Sequence, residues 1–341
     1  MKLATFETIT EIIPIEGADR IELARVQGWN SVIKKNEYKV GDQVIFVPID
    51  TVLTPREWNK FLWDKNDPSK PIRVKIAKLR GVISSGLIFP RSLISAQEIF
   101  DHMDDPNEDV SIAGILGITK YEKNIPATLQ GKVKGNFPTH LVSKTDEDNL
   151  NSNIEVLEEL KQADFIESSL KKDGTSATYI KELDGTFRVC SRNLELEDGA
   201  NVYWDMARKY NIEKVLPNGF SMAGEICGPG IQKNPVGLSE VCLYLFNYVN
   251  ITTRECYSCY EYIFETPLNI PTVPLIKRWT KEEFSDMVIE GLQAYTNLMT
   301  YPNNKPAEGL VFRGIKDGKV MYSRKLQKML SVKLINQNYE E

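Results

Sequence analysis

Apolar and polar residues alternate over short runs in residues 1 to about 95, as in RIELARVQGWNSVIKKNEYKVGDQVIFVPIDTVLT. The alternation breaks at Gly28, Asn36 and Gly41-Asp42, which are typical hairpin positions. A second run of the same kind, IRVKIAKLRGVISSGLIFP, follows. Several short strands with regular turns indicate a small β-barrel, and the Gly41-Asp42 turn is typical of OB-type modules.

The pattern changes after this region. Residues 97–110 form an acidic stretch with a proline, which indicates an insertion or linker. Further on, strand-like runs alternate with helical ones, which predicts a mixed α+β domain. One helix is predicted to start at a cap, Ser152 or Asn153, because Ile154, Leu157 and Leu160 follow at helical spacing. We expect an OB-like module with its linker at 1–130 and a second domain at 131–341.

Composition is that of an ordinary globular chain, with 42% hydrophobic and 26% charged residues. The start carries no apolar signal-peptide core, and no apolar stretch has the length of a membrane helix. We therefore expect an intracellular protein that is not in a membrane.

The net charge of −5 neither suggests nor excludes nucleic acid, because phosphate binding depends on local basic patches. Arg73, Lys75, Lys78 and Arg80 lie two or three residues apart in the predicted barrel. They form either a nucleic-acid-binding face or a set of ordinary solvated strand residues.

Cysteine and histidine offer little chemistry. The five cysteines are an odd number, which argues against a disulfide framework. Cys256 and Cys259 form a single CxxC, and His102 and His140 are the only histidines, so a structural role is favoured over a zinc site. Any catalysis is therefore expected to depend on Lys, Glu, Asp and Arg.

An ordered set of polar residues lies in or beside apolar strand-like runs of the second half. Lys171 opens a Lys-x-Asp-Gly in SLKKDGTSAT, which by itself is a weak signal. The following segments give the signal its weight: Arg192-Asn193 in VCSRNLEL, Glu225 in FSMAGEICGPG, Phe246-Asn247 in LYLFNYV, Glu308-Gly309 in PAEGLVFRG, and Lys333 in MLSVKLINQNY.

In this order the set resembles the covalent nucleotidyltransferases, which include ATP-dependent nucleic-acid ligases and mRNA capping enzymes. The run from FPTHLVSKTDEDNL to SVKLIN is similar to the RNA ligase 2-like branch, and the first part is similar to the OB module that precedes the catalytic domain in one subgroup. The resemblance implies an α+β protein in which an N-terminal OB-like β-barrel is followed by a nucleotidyltransferase domain with antiparallel sheets and flanking helices.

The resemblance also implies a role for each residue. Lys171 is the nucleophile that forms a lysyl–AMP, and Lys172 fills the next position; strand alternation places the two on opposite sides. Lys333 contacts the α-phosphate, and Gly174 allows a close approach of the backbone to the nucleotide. Glu308 and Asp173 hold Mg²⁺ or Mn²⁺ through water. The remaining nucleotide contacts are Glu225 to the ribose, Phe246 to adenine, and Arg192 with Asn193 to ribose or phosphate.

Two positions depart from the family pattern. Some relatives carry a second lysine two residues from the last one, but Ser331 and Ile335 flank Lys333 here, so one phosphate contact is either missing or supplied by Lys325. A solvated position is favoured for Lys325 and Lys328, and support of the phosphates is the alternative. Some relatives place a glutamate directly before the nucleophile, where this chain has Leu170. Adenine is then read either by backbone groups or by Glu167.

These features predict an ATP-dependent RNA ligase that joins 3′-hydroxyl and 5′-phosphate ends in nick or break repair. The expected partners are ATP and RNA, as a nicked duplex or bridged ends, without an obligate protein partner. A DNA ligase or capping enzyme is the alternative within the superfamily, although both normally carry an OB domain after the last lysine. A nucleic-acid-binding protein with an inactive nucleotidyltransferase domain is the alternative from another class.

Overall fold

The computed structural model describes residues 2–103, 111–121, 132–262 and 270–340. Half of the predicted acidic insertion, residues 104–110, and the predicted boundary at 130/131 lie outside these ranges. The chain divides into two compact units. The first contains residues 1–123 and 151–154, and the second contains 124–150 and 155–341.

The first unit is built from short strands, as the alternating pattern predicts. Its strands are β1 (Thr5–Thr8), β2 (Glu11–Pro14), β3 (Ile21–Val26), β4 (Trp29–Lys34), β5 (Gln43–Val47), β6 (Thr51–Leu53), β7 (Ile72–Arg73), β8 (Ile76–Leu79), β9 (Val82–Ser85), β10 (Leu87–Pro90) and β11 (Ile118–Lys120). Its helices are the 3₁₀ segments Glu57–Leu62 and Arg91–Leu93, with α1 (Ala96–Met103) and α2 (Ile112–Leu116).

Antiparallel pairing arranges these strands as β1-β5-β10, β2-β3-β4, β11-β6-β7 and the hairpin β8-β9. Strand β5 supplies much of the core, since Val44, Ile45, Phe46 and Val47 are all buried. The predicted turn at Gly28 is present as the two-residue loop of the β3-β4 hairpin. Trp29, directly after that loop, is buried and donates its indole N–H to Ser152 Oγ at 2.9 Å.

The second unit combines many strands with a few short helices. Its strands are β12 (Val133–Asn136), β13 (Asp148–Asn149), β14 (Phe165–Lys171), β15 (Thr175–Lys181), β16 (Phe187–Cys190), β17 (Leu194–Leu196), β18 (Phe220–Cys227), β19 (Cys242–Asn250), β20 (Cys256–Tyr257), β21 (Leu275–Thr280), β22 (Gly309–Lys316), β23 (Lys319–Val320), β24 (Tyr322–Ser323), β25 (Lys328–Met329) and β26 (Ser331–Ile335). Its α-helices are α3 (Leu157–Leu160), α4 (Val202–Lys209), α5 (Ile212–Val215), α6 (Cys259–Tyr262), α7 (Lys281–Ser285) and α8 (Ile289–Asn297).

Hydrogen bonds connect these strands in the order β12-β17-β16-β15-β18-β19-β20-β23-β22-β14-β21. Strand β26 adds to β22, and β13 pairs with β26 in the parallel direction, whereas the pairs along the main order are antiparallel. The α+β architecture with antiparallel sheets and flanking helices agrees with the prediction.

Alternation along the central strands separates a core face from a polar face. One hydrophobic cluster takes side chains from β14, β22 and β26, and among them are Leu170, Leu310 and Leu334. A second cluster takes Tyr179, Met222 and Ile226 from β15 and β18. Because alternate side chains point to opposite faces, the intervening residues, including Lys171, Lys333 and Glu225, lie on the other face.

The helix predicted after Ser152 or Asn153 is shorter than its apolar spacing suggests. The structure has 3₁₀ turns at Leu150–Ser152 and Ile154–Val156, and the α-helix itself is only α3. Leu157 and Leu160 are buried as predicted, but Ile154 is largely exposed. The apolar spacing therefore indicated the burial of Leu157 and Leu160, but it did not indicate the exposure of Ile154 or where α-helical hydrogen bonding starts.

Candidate active site

Lys171 and Glu308 meet where two central strands end. Lys171 is the last residue of β14 and pairs with Gly309, the first residue of β22. The Nζ atom of Lys171 lies 2.8 Å from Oε1 of Glu308, and the two side chains are 22% and 13% exposed. The contact is therefore a largely buried ion pair that solvent still reaches.

The environment of Lys171 is acidic. Burial by itself lowers the pKa of this amine, but the negative charges of Glu308, Glu225 and Glu147 outweigh burial and raise the pKa above its ordinary value. Without a ligand, the amine is therefore held as an ammonium ion. Nucleophilic attack requires that part of this negative charge be neutralised.

The adjacent lysine contacts different groups. Lys172 is buried, and its Nζ lies 4.1 Å from the centroid of the Tyr244 ring. Burial lowers the pKa of Lys172. The two lysines therefore differ in both partner and electrostatic environment.

Asp173 is held by two tyrosines that the sequence analysis did not single out. Its backbone N–H donates to the hydroxyl of Tyr301 at 3.0 Å, and its carboxylate accepts a short hydrogen bond from the hydroxyl of Tyr339. Tyr339 lies in the apolar surroundings of the first cluster. The Asp173 carboxylate therefore has a fixed orientation beside the nucleophile.

Gly174 has a structural reason to be glycine. A Cβ at this position would lie 2.2 Å from the carbonyl oxygen of Ile226 and 2.8 Å from the sulfur of Cys227. The chain that leaves Lys171 therefore runs directly against β18. This packing brings the Lys-x-Asp-Gly segment next to the strand that carries Glu225.

Glu225 and Phe246 lie on neighbouring strands. Ala223 pairs with Asn247 and Gly224 pairs with Leu245, which leaves Phe246 as the extra residue of a bulge in β19. Bulges redirect a side chain and are common next to active sites. Phe246 is half-buried, so its ring is not enclosed in the core.

Lys333 lies in the middle of β26. It pairs with Val311 of β22, which in turn pairs with Ser169 of β14, two residues before the nucleophile. The register therefore places Lys333 and Lys171 on the same face of three adjacent strands. Lys333 is half-buried among apolar neighbours in its strand.

Arg313 connects several parts of this face and was missed by the sequence analysis. It is buried and lies 3.2 Å from Glu147, its Nε donates to Ser331 Oγ at 3.0 Å, and its Nη1 donates to the backbone carbonyl of Phe246. Burial lowers the pKa of Arg313, but Glu147 and nearby groups raise it overall. The local sequence does not distinguish a strand arginine that is buried and bonded to several segments from one that lies on the surface.

The segment before β13 contacts the predicted Arg192-Asn193 pair. Arg192 lies 2.6 Å from Asp146, and Lys144 donates to the side-chain oxygen of Asn193 at 2.7 Å. A cavity of about 190 Å³ opens on the same segment. Its lining includes Asp146, Glu147, Thr178, Asn247 and Ser331.

The supporting residues named from the sequence have local partners. Glu167 is buried and accepts hydrogen bonds from Arg278 at 2.5 Å and Ser258 at 2.7 Å. Lys328 lies 2.9 Å from Asp148. Lys325 is exposed, and its backbone N–H donates to Glu159.

The oxygen-rich donors around Lys171 fit a hard divalent cation. Mg²⁺ and Mn²⁺ prefer carboxylate and water oxygens, and Mg²⁺ retains several waters. Within the described ranges, no group of three or more His, Cys, Asp or Glu side chains is arranged to hold a metal directly. Glu308 and Asp173 supply carboxylate oxygens of the preferred kind beside Lys171.

The four basic residues of the first unit are not equivalent. Arg73 lies 3.3 Å from Asp50 and stacks 3.5 Å above the Tyr121 ring, whereas Lys75, Lys78 and Arg80 are exposed. Arg80 lies in the β8-β9 turn with a positive φ of 50°. The local contacts of Arg73 leave the other three as the accessible cations of the set.

Other sequence features have structural outcomes. Cys256 and Cys259 are buried free thiols, as are Cys190 and Cys227, and Cys242 is a half-buried free thiol. Histidine 140 is exposed, and the side chain of His102 lies outside the description. Within the described residues, no helix is both long and apolar enough to cross a membrane.

Comparisons with known proteins match both units. A family model of an OB-fold domain matches residues 3–91. The structure of Naegleria gruberi RNA ligase with PPi matches with 31% identity and a TM-score of 0.82, covering 98% of this chain and 97% of that chain. A lysine-to-alanine variant of that ligase with ATP and Mn and a glutamate-to-alanine variant with AMP and Mn each match with 30% identity, a TM-score of 0.80 and the same coverage. No curated protein matches the chain.

The fold and these matches define the class of protein as a nucleic-acid ligase with an N-terminal OB fold. The chain belongs to the RNA ligase family that includes the Naegleria gruberi enzyme. The predicted fold class and the predicted RNA ligase membership are therefore confirmed.

Proposed function

We propose that the chain is an ATP-dependent RNA ligase that forms a lysyl–AMP at Lys171. The observation that carries this proposal is the 2.8 Å contact between Lys171 and Glu308 at the paired ends of β14 and β22. It places a partly accessible amine among carboxylates in a member of the RNA ligase family. The Naegleria structures with ATP or AMP support the choice of nucleotide.

In the first step, the Lys171 nitrogen attacks the α-phosphorus of ATP. The N–P bond forms as the bond from phosphorus to the bridging oxygen breaks, and pyrophosphate leaves with that electron pair. The ammonium gives up one proton before it attacks and a second as the phosphoramidate forms. Glu308 Oε1, 2.8 Å from Nζ, accepts the first of these protons, and the second passes to the solvent that reaches this partly exposed pair.

A divalent cation supplies positive charge, which weakens the attraction that keeps Lys171 protonated. We propose that Glu308 and Asp173 hold it, mainly through water. The Mn in the Naegleria structures supports a divalent ion. Lys333, on the same face as Lys171, contributes a fixed positive charge for the α-phosphate, where negative charge increases in the transition state.

The nucleoside contacts follow the arrangement of β18 and β19. In this proposal Glu225 accepts hydrogen bonds from the ribose, and the Phe246 ring stacks on adenine. Arg192 and Asn193 contact ribose or phosphate after exchanging their present partners, Asp146 and Lys144. Glu167 is already bonded to Arg278 and Ser258, which favours backbone groups for reading adenine.

In later steps the lysyl–AMP transfers AMP to an RNA 5′-phosphate. The neighbouring 3′-hydroxyl then attacks that phosphate, forms the phosphodiester and releases AMP.

We propose nicked or bridged RNA ends as the substrate and nick or break repair as the role. The exposed Lys75, Lys78 and Arg80 provide charges that suit the RNA backbone. The free state of all five thiols is consistent with an intracellular site of action.

The test is sealing of a nicked RNA duplex with a 3′-hydroxyl and a 5′-phosphate. The full chain should join the strands with ATP and Mg²⁺ or Mn²⁺, and a trapped reaction should contain the adenylylated 5′ end. GTP in place of ATP and a nicked DNA duplex serve as controls. Efficient label transfer from GTP would indicate a capping enzyme, and preferential sealing of DNA would indicate a DNA ligase.

A further inference from the structure

The hydroxyl of Tyr301 is shared by three backbone groups of the site. It accepts hydrogen bonds from the amide N–H of Asp173 at 3.0 Å and of Glu308 at 3.2 Å. It donates to the carbonyl oxygen of Lys171 at 3.0 Å. A tyrosine hydroxyl can donate one hydrogen bond and accept two, so these three bonds occupy all of its hydrogen-bonding positions.

These backbone groups lie where the sheet ends. The β14–β22 ladder finishes at the pair of Lys171 and Gly309, so Asp173 and Glu308 lie beyond the last pair of residues. Buried backbone groups need partners, because a donor or acceptor that is removed from water without a hydrogen bond destabilises the fold. Tyr301 supplies those partners to both strands at once.

Tyr301 is itself firmly fixed. Its side chain is 1% exposed and belongs to the first hydrophobic cluster. Its backbone N–H donates to Lys305 at 2.8 Å, and its carbonyl accepts from Asn304 at 2.9 Å. The tight turn that follows α8 therefore holds the hydroxyl in place.

We propose that Tyr301 is a positioning residue that fixes Lys171 and Glu308 relative to each other for adenylylation. This inference rests on the proposed function. Tyr301 acts through the backbone at both strand ends and is not assigned a contact with ATP or metal. Displacements near 1 Å in a reacting geometry reduce rates by about 100-fold. Tyr301→Phe should therefore slow lysyl–AMP formation by about 10- to 100-fold at saturating ATP and change the KM for ATP much less.

Tyr179→Phe is the matched control. Tyr179 is also fully buried in the second unit, and its hydroxyl donates to the backbone carbonyl of Tyr203 at 3.1 Å. It belongs to the other hydrophobic cluster. Both variants remove one buried hydroxyl. If the role of Tyr301 were purely structural, both variants would lower the melting temperature, and Tyr301→Phe would slow adenylylation no more than Tyr179→Phe does.

A second readout does not depend on ATP. Acetic anhydride reacts with neutral amines, and peptide mass spectrometry measures its reaction at Lys171. Loosening of the two strand ends separates the Lys171 amine from Glu308 and opens it to the reagent. Lys171 should therefore be acetylated faster in Tyr301→Phe at a given pH, and at the wild-type rate in Tyr179→Phe. If the wild type formed no adduct with ATP, the proposed function would fail, yet this measurement would still decide the role of Tyr301.

Amide hydrogen exchange of the wild type keeps the test decisive even if Tyr301→Phe does not fold. The amide hydrogens of Asp173 and Glu308 should be protected from exchange, because the Tyr301 hydroxyl accepts a hydrogen bond from each. Fast exchange at both amides would overturn the proposal. The proposal would also be overturned if Tyr301→Phe had the adenylylation rate and Lys171 reactivity of the wild type. Losses of adenylylation rate equal to those of Tyr179→Phe would overturn it as well.

Discussion

The Nζ atom of Lys172 lies 4.1 Å from the centroid of the Tyr244 ring, whereas the preceding residue, Lys171, contacts Glu308. Burial already favours the neutral form of Lys172. Lys172→Met keeps the length and apolar stem of the side chain, so adenylylation should remain within a few-fold of the wild type. The measurement is the rate of label transfer from ATP, with the melting temperature as a control. Loss of the adduct in a folded Lys172→Met protein would mean that the nucleophile was assigned to the wrong lysine.

Glu308→Gln removes the carboxylate charge while keeping a side chain of the same shape. We expect adenylylation to fall by about 10- to 100-fold, as is typical when a residue that supports a metal is lost, and added Mg²⁺ should restore it only in part. Glu308 helps to raise the pKa of Lys171, so the variant lowers that pKa, and its remaining rate should increase with pH at a lower pH than in the wild type. Glu213→Gln on α5, at an exposed position, is the matched control. Normal adenylylation by Glu308→Gln at limiting magnesium would show that Glu308 does not help to hold the metal.

Tyr339→Phe removes the hydroxyl that donates to the Asp173 carboxylate. A hydrogen bond to a charged group contributes about 1.5–3 kcal/mol, so the free energy of unfolding should decrease by an amount in this range. Adenylylation should decrease more at limiting than at saturating Mg²⁺, because Asp173 loses its orientation.

Burial and the charge of Asp173 raise the pKa of Tyr339, so its hydroxyl remains a donor at alkaline pH. The defect of Tyr339→Phe should therefore be the same at neutral and alkaline pH. Tyr322→Phe, at an exposed hydroxyl, is the control. Equal defects at limiting and saturating Mg²⁺ would argue against a link between Tyr339 and the metal.

The triple variant Lys75→Gln, Lys78→Gln and Arg80→Gln tests the basic residues of the first unit in the full chain. Adenylylation should be unchanged, whereas affinity for nicked RNA should fall. The slope of log affinity against log salt should decrease by about 0.9 for each lost contact with duplex phosphate if RNA follows the B-DNA value.

A control triple variant replaces Lys34, Lys35 and Lys39 by glutamine, since these three are also exposed in the same unit. It removes the same charge and should bind RNA nearly as the wild type does. Equal losses for the two triple variants would indicate a general charge effect and would argue against a specific binding face.

Local sequence pattern was sufficient to predict where the candidate residues lie on their strands. Lys-x-Asp-Gly spacing and alternation separate Lys171 from Lys172, and the glycine after Glu308 begins the apolar strand that pairs with β14. Gly309 is needed at that position because a Cβ there would lie 2.0 Å from the carbonyl oxygen of Leu334.

Residues whose roles depend on distant contacts could not be predicted in this way. Tyr301 and Tyr339 lie about 130 and 166 residues from their partners in the Lys-x-Asp-Gly segment, and nothing in their neighbours marks them. Arg73 was grouped with three other cations by spacing, but Asp50 and Tyr121 bind it locally. Pattern gives the face on which a residue lies, whereas partner choice is decided by the tertiary fold.

The most direct test of the account is the location of the covalent nucleotide. The full chain is incubated with ATP and Mg²⁺, and the lysyl–AMP peptide is sequenced by mass spectrometry under conditions that preserve the phosphoramidate. We predict AMP on Lys171 and an unmodified Lys172, with Lys171→Ala giving no adduct. AMP on another residue, or an adduct that persists in Lys171→Ala, would contradict the account.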